Sequence, residues 1–245
     1  MWDNPQLLKS TANFLFGLSV LLILIGAARY VLGLPIFPLK TVQLKVAPER
    51  VPVDLIERLV HEQIKGNFFT VDINRTRLSF EQLPWVRKVS VRRKFPWGIE
   101  VEIEEHVALA KWNDKSLVNT YGEVFGAEYK NELPVFIGQA DTSDLVAKMY
   151  GELKNELLPI QQEIGQISLS PRYAWQLRLK NGMVLELGRE QMLQRLTRFV
   201  GVYPYSVATL TNPVKHIDLR YRNGFAAYLP SGVGAPEKQN SANKV

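Results

Sequence analysis

A chain of 245 residues has room for one large domain or two small ones, and at 46% hydrophobic and 22% charged it is neither disordered, collagen-like nor a multi-span membrane protein. The absence of cysteine removes disulfide frameworks, thiolate zinc sites, iron-sulfur clusters and thiol catalysis together. A net charge of +6, with 24 acids accompanying 30 bases, is too evenly mixed to point to nucleic acid.

From Phe14 to Ala28 the sequence carries no charge, and apolar character resumes after Arg29 through Tyr30, Val31, Leu32 and Leu34. A helix over 12–34, rising roughly 1.5 Å per residue, covers the ~30 Å hydrocarbon core with some tilt. Arg29, near one end, reaches the interface along its methylene stem, and Tyr30 suits an interfacial ring. A cleaved signal peptide is the alternative, since Gly26, Ala27 and Ala28 are small enough for a peptidase site; the apolar character that continues past them argues against it. Lys9 and the amino terminus on one side balance Arg29, Lys40 and Lys45 on the other, so charge does not set the orientation. No later stretch is long and apolar enough to cross again, which leaves residues 1–11 as a short tail and everything after about residue 35 on the opposite side.

Pro35 and Pro38 end the helix in a short stiff spacer. Thr41 to Val46 alternates as a strand, with Val42, Leu44 and Val46 on one face. After the turn at Pro48 to Pro52, Asp54 to Ile64 places Leu55, Ile56, Leu59, Val60 and Ile64 at helical spacing, and a second helix is expected from Asp72, its N-cap, to Leu83. Pro84 stops it. Val89 and Val91 then alternate with Lys88, Ser90 and Arg92, and after a turn at Phe95-Pro96-Trp97-Gly98, Ile99, Val101 and Ile103 alternate with Glu100, Glu102 and Glu104. The order strand, helix, helix, strand, strand over 37–106 makes a compact α+β unit whose hairpin pairs bases against acids.

A second region, 107–230, opens with short strands at Ala108 to Trp112, Leu117 to Asn119 and Glu123 to Phe125, separated by hairpin chemistry at Asn113-Asp114 and Tyr121-Gly122. A helix from Ser143 to Leu158 stops before Pro159. Strands follow at Ile164 to Leu169, Ala174 to Leu179 and Val184 to Leu187, the last two joined by Asn181-Gly182. Arg189 to Tyr203 is amphipathic, and a final pair of strands, His216 to Tyr221 and Phe225 to Leu229, turns at Arg222-Asn223-Gly224. The tail at 231–245 is too polar to order itself.

Catalytic and metal chemistry finds no constellation. The histidines at 61, 106 and 216 stand at no ligand spacing; His61-Glu62 begins a zinc-protease pattern, but Lys65 occupies the position of the second ligand. The acids of 100–105 share the wet face of one strand, and no nucleophile elbow or phosphate loop occurs. The bases around Arg87-Lys88 and Arg92-Arg93-Lys94 read as a solvated strand face, a protein contact or a site near anionic headgroups. Neither an enzyme nor a cofactor is indicated. A chain that ends in a strand leaves that strand at a sheet edge, where it can accept a partner's strand through main-chain hydrogen bonds. Tyr221 and Phe225 would then anchor the partner and Arg220 clamp it; on pattern alone the two rings read equally as core residues of a closed hairpin.

The run from Gly66-Asn67-Phe68-Phe69 through Asp72, then LPWVRKVSVRRKFPWGIEVEIEEHVALAKWND, and later WQLRLKNGMVLELGREQMLQRLTRFVGVYP and HIDLRYRNGFAAYLP, resemble the FtsQ/DivIB family of bacterial cell division proteins over about residues 8–230. The resemblance implies a bitopic inner-membrane protein at the division septum: amino terminus in the cytoplasm, one transmembrane helix, then a POTRA domain and a mixed β domain in the periplasm. It implies a scaffold, not an enzyme, that binds FtsB and FtsL among other division proteins, with FtsB held by the last strands of the β domain. Matched by position, that contact would involve Arg172, Arg220, Tyr221, Gly224, Phe225, Ala226 and Ala227. Arg222-Asn223 and Phe225 depart from the usual residues of this motif. Trp85, Val86, Arg92, Arg93 and Lys94 would form a recruitment surface on the POTRA domain. A different class of function, a POTRA-containing envelope chaperone or translocation component that holds extended outer-membrane chains, stands as the alternative.

Overall fold

The computed structural model describes residues 5–34, 36–211 and 213–228. The expected polar tail, Leu229 and the spacer's Pro35 lie outside them. The chain divides into two compact units, Met1–Glu105 and His106–Val245.

The first unit begins with α1, Pro5–Gly33. Helical structure thus covers part of the segment expected as a tail, with proline at the first turn, where its missing N–H costs nothing. The stretch Lys9–Gly33 is long and apolar enough to cross a membrane, and none of it is buried inside the protein. Beyond it lie β1 (Thr41–Leu44), α2 (Val53–Gln63), α3 (Ile73–Glu81), β2 (Val86–Lys94) and β3 (Gly98–Glu105). Asp72 caps α3, its carboxylate accepting from the Arg75 amide at 3.0 Å. The sheet order is β1-β3-β2, with β1 parallel to β3, and the connection between that parallel pair runs through α2, α3 and the outer strand β2. Ile56, Phe80, Val89, Ile99 and Val101 form the centre of this core. On the wet face, acids and bases meet as the alternation requires: Arg87 with Glu104 at 2.6 Å and Lys45 with Glu102 at 2.8 Å. Glu105, at the end of β3, accepts from the amides of Glu49, Arg50 and Val51 at 2.8 to 3.0 Å and so closes the loop before α2.

The second unit contains β4 (Ala108–Trp112), β5 (Ser116–Asn119), β6 (Val124–Phe125), β7 (Val135–Ile137), α4 (Ser143–Leu157), β8 (Ile164–Leu169), β9 (Trp175–Leu179), β10 (Val184–Gly188), α5 (Met192–Val202), β11 (His216–Asp218) and β12 (Ala226–Tyr228). They form one sheet in the order β12-β11-β10-β9-β8-β7-β4-β5-β6. Two parallel pairs, β7 with β8 and β10 with β11, are each bridged by a helix. Both crossovers step in the same direction along the sheet, so the right-handed rule puts α4 and α5 on one face; their apolar sides share a single core with it. A transverse row of side chains runs through that core: Phe136, Ile167, Leu177, Leu185 and Ile217 are register partners on successive strands, and all are fully buried. At the far end of the row, β12 places Ala227 opposite Ile217.

Three sequence expectations change. Residues 135–137 form a strand that periodicity does not reveal. The helix expected from Arg189 starts at Met192, because Gln191 takes a left-handed conformation, φ 51°. The final strands are shorter than expected, and β11 pairs in parallel with β10 as well as antiparallel with β12.

Candidate partner-binding edge

β12 ends the sheet: among the described residues no strand pairs with its outer side. Its partner β11 ends at Asp218, a carboxylate only 5% exposed. Two residues on, Arg220 turns back onto it. Arg220 Nε donates to Asp218 Oδ1 at 2.9 Å and Nη2 to Oδ2 at 2.7 Å, while the Arg220 amide donates to Oδ1 at 3.0 Å. The Arg220 side chain holds the Asp218 carboxyl below its usual range, and the same pairing raises the guanidinium further. This fork fixes where the chain leaves β11 and how it enters the turn toward β12.

The stem of Arg220 passes over Gly188, at the end of β10. Gly188 has φ +75°, and a Cβ there would stand 2.9 Å from Arg195 Nη1 and 3.2 Å from Arg220 Cγ. The positive φ favours glycine, and a side chain there would also push the Arg195 guanidinium and the Arg220 stem aside. Arg195, on α5, donates to the Leu187 carbonyl at 2.7 Å. Arg172, from the turn before β9, with Arg189, Glu190, Arg195 and Arg220, lines a shallow pocket of about 490 Å³. Arg220 is already paired with Asp218 and Arg195 with the Leu187 carbonyl, so Arg172 and Arg189 against Glu190 leave the concavity with a net positive lining.

The two aromatic residues of the motif separate. Tyr221 is 55% exposed at the surface. Phe225 is half-buried and packs edge-on against Phe199 of α5, ring centroids 5.5 Å apart. Arg198, also on α5, donates to the Arg222 carbonyl and holds the turn. Gly224 and Ala226 are half-buried, and Ala227 is exposed. Arg220 to Ala227 thus lie on the final strand pair and its turn, while Arg172, before β9, meets only Arg220 among them, across the pocket. To these the structure adds Asp218, Gly188, Arg189, Arg195 and Arg198, which sequence reasoning missed. The D-x-R spacing of Asp218 and Arg220 was the one signal available for them.

Comparison with known proteins is decisive at this point. Residues 37–106 match the model of the POTRA domain, FtsQ-type, and residues 110–220 that of cell division protein FtsQ/DivIB, C-terminal. The chain belongs to the FtsQ/DivIB family. It is 40% identical over 232 residues to the cell division protein FtsQ of Nitrosospira multiformis, covering 93% of this chain and 98% of that one. Identity is 36% to FtsQ of Burkholderia pseudomallei, over 92% and 93% of the two chains, and 34% to that of Bordetella pertussis, over both entire lengths. Arg172 and Arg220 lie within the matched β-domain segment, and Tyr221 begins just past it.

The residues proposed on the POTRA domain do not form one surface. Val86 is a correction: it is 6% exposed and part of the core, because a bulge between Val86 and Lys88 shifts the alternation and turns it inward. Arg93 shares the face of Val89 and Val91, and its guanidinium donates to the carbonyls of Phe68, at 3.0 Å, and Val71, at 2.8 Å. Trp85 lies under the Arg50 guanidinium, 4.6 Å from the ring centroid. Arg92 and Lys94 project from the opposite, exposed face of β2.

Proposed function

We propose that this protein is a division scaffold anchored in the inner membrane by α1, with its amino terminus in the cytoplasm and its POTRA and β domains in the periplasm. It binds FtsB, in complex with FtsL, by accepting a strand of FtsB along β12. The observation that carries this reading is the juxtaposition of an open sheet edge with an arginine-lined pocket. Main-chain hydrogen bonds to the edge supply affinity that is indifferent to sequence, and the pocket demands an acid at one position of the incoming strand. An apolar side chain of that strand, seated beside Ala227, extends the buried row that ends at Ile217. Tyr221 covers the junction as an exposed aromatic anchor.

A chaperone of extended outer-membrane chains would also use an open edge, but it would gain nothing from an arginine-lined pocket placed at one end of the final strands. Photo-crosslinking from positions 220–227 in dividing cells tests the proposal. Adducts with FtsB from these positions, and none from the exposed Lys130, support it; adducts with many envelope polypeptides and no enrichment of FtsB refute it.

A further inference from the structure

The first unit carries an aromatic cluster at the margin of its core. Phe37 stacks on Trp97 with centroids 5.9 Å apart and meets Phe69 edge-on at 5.0 Å; Phe68 meets Phe69 at 5.1 Å and Phe95 at 6.3 Å. These five rings come from three separate segments and lie outside the main POTRA core cluster, with Phe68 buried, 6% exposed, beneath the others. Phe95 is 83% and Phe69 41% exposed, Phe37 and Trp97 are half-buried, and the neighbouring Ile36 adds an apolar side chain 61% exposed. Water-facing aromatic surface of this extent marks a contact with something else.

The cluster is tied to the end of α1. Asn67, itself 6% exposed, donates through Nδ2 to the carbonyls of Leu32 at 2.7 Å and Leu34 at 3.0 Å, while its Oδ1 accepts from the amides of Phe69 and Thr70. Carbonyls at the exit of an apolar helix, which would otherwise lack partners, are thereby satisfied by the loop that carries Phe68 and Phe69. The Phe68 amide donates to the Phe37 carbonyl at 3.0 Å, and the Lys40 amide to the Trp97 carbonyl at 2.8 Å. If Arg29 and Tyr30 mark the edge of the hydrocarbon, Leu34 lies ~6 Å beyond Tyr30, within the headgroup layer. Lys40 stands over the Trp97 ring at 5.8 Å, a cation beside an amphipathic ring as that layer favours.

We propose that the Phe37, Phe69, Phe95 and Trp97 cluster is a membrane-docking surface that seats the POTRA domain in the lipid headgroup region beside its own anchor. The bilayer is the occupant because Asn67 and the strand entry hold the rings at the point where the anchor leaves it. The surface thus limits how freely the POTRA domain swings on its tether. This inference rests on the reading of α1 as a membrane anchor.

The chain lacks cysteine, so single cysteines carrying an environment-sensitive fluorophore report position cleanly. The full chain is labelled in turn at Phe95→Cys, at Ser19→Cys within α1, and at Lys88→Cys, ~20 Å up the same hairpin. Each is reconstituted in phosphatidylethanolamine/phosphatidylglycerol vesicles containing headgroup-region nitroxide lipids. The docking surface predicts blue-shifted emission at position 95 and quenching about threefold stronger than at 88. Equal, weak quenching at 95 and 88, with Ser19→Cys showing the blue-shifted emission of a buried probe, overturns the docking surface and leaves the anchor intact. Water-like emission at Ser19→Cys overturns the anchor, and the docking surface with it.

Discussion

Asp218 and Arg220, two residues apart at the end of β11, are joined by a two-pronged hydrogen bond on a carboxylate that is almost wholly buried. The chain must bend back on itself to make this contact, and the bend aims the following turn and β12. Arg220→Ala leaves the carboxylate with one backbone donor, and we expect a loss of about 1 to 2 kcal/mol in denaturant unfolding.

The pH dependence of that contact has a definite sign. Arg220 depresses the Asp218 carboxyl below its ordinary value of 3.8, so the stabilisation is complete above that value and is lost as pH falls through the depressed one. Melting temperatures should therefore be insensitive to this group between neutrality and about pH 5. They should fall more steeply below about pH 4 in the wild type than in Arg220→Ala.

Gly188→Ala should be costly for its size. The new Cβ would meet the guanidinium of Arg195 and the stem of Arg220, on a backbone with φ +75°. A penalty of about 1 to 2 kcal/mol is expected from the backbone alone. Displacing Arg220 should also weaken partner binding, measured by titration of the full chain in bilayer discs.

Tyr221 and Phe225 should behave oppositely. Tyr221→Ala removes an exposed ring and should leave the melting temperature unchanged while weakening FtsB binding by ~2 kcal/mol, roughly 30-fold in Kd. Phe225→Ala removes a ring packed on Phe199 and should cost about 1 to 3 kcal/mol of stability.

Glu105→Ala should loosen the POTRA domain. One carboxylate accepts three successive amides there, so its loss exposes all three donors at the entry to α2. Faster hydrogen exchange confined to residues 49–51 is the expected signature.

Much of this architecture is legible in the residues. The spacing of Ile56 and Val60, the cap at Asp72 and the alternation through Val101 declare their elements because each repeats a period over several positions. Val135–Ile137 does not: three residues after Pro134 are too short to show a period, and only pairing with β4 and β8 makes them a strand. Val86 misleads for a related reason, since a bulge is a one-residue interruption that alternation cannot anticipate. At the site, the terminal strand and Tyr221 can be read locally. Gly188 and Arg195 enter only because β10 and β11 run parallel across α5, a pairing no nearby residue encodes.

The central claim is that β12 completes its hydrogen bonding with a strand from the partner. Amide hydrogen exchange of the full chain, free and saturated with the FtsB–FtsL complex, tests it directly. Ala226 and Tyr228 are the partners of Asp218 and His216, whose backbone groups face β12, so the Ala227 amide is the one that points outward; it should exchange rapidly in the free protein and be strongly protected in the complex. Protection that appears elsewhere in the β domain, with the Ala227 amide still exchanging freely, would contradict it.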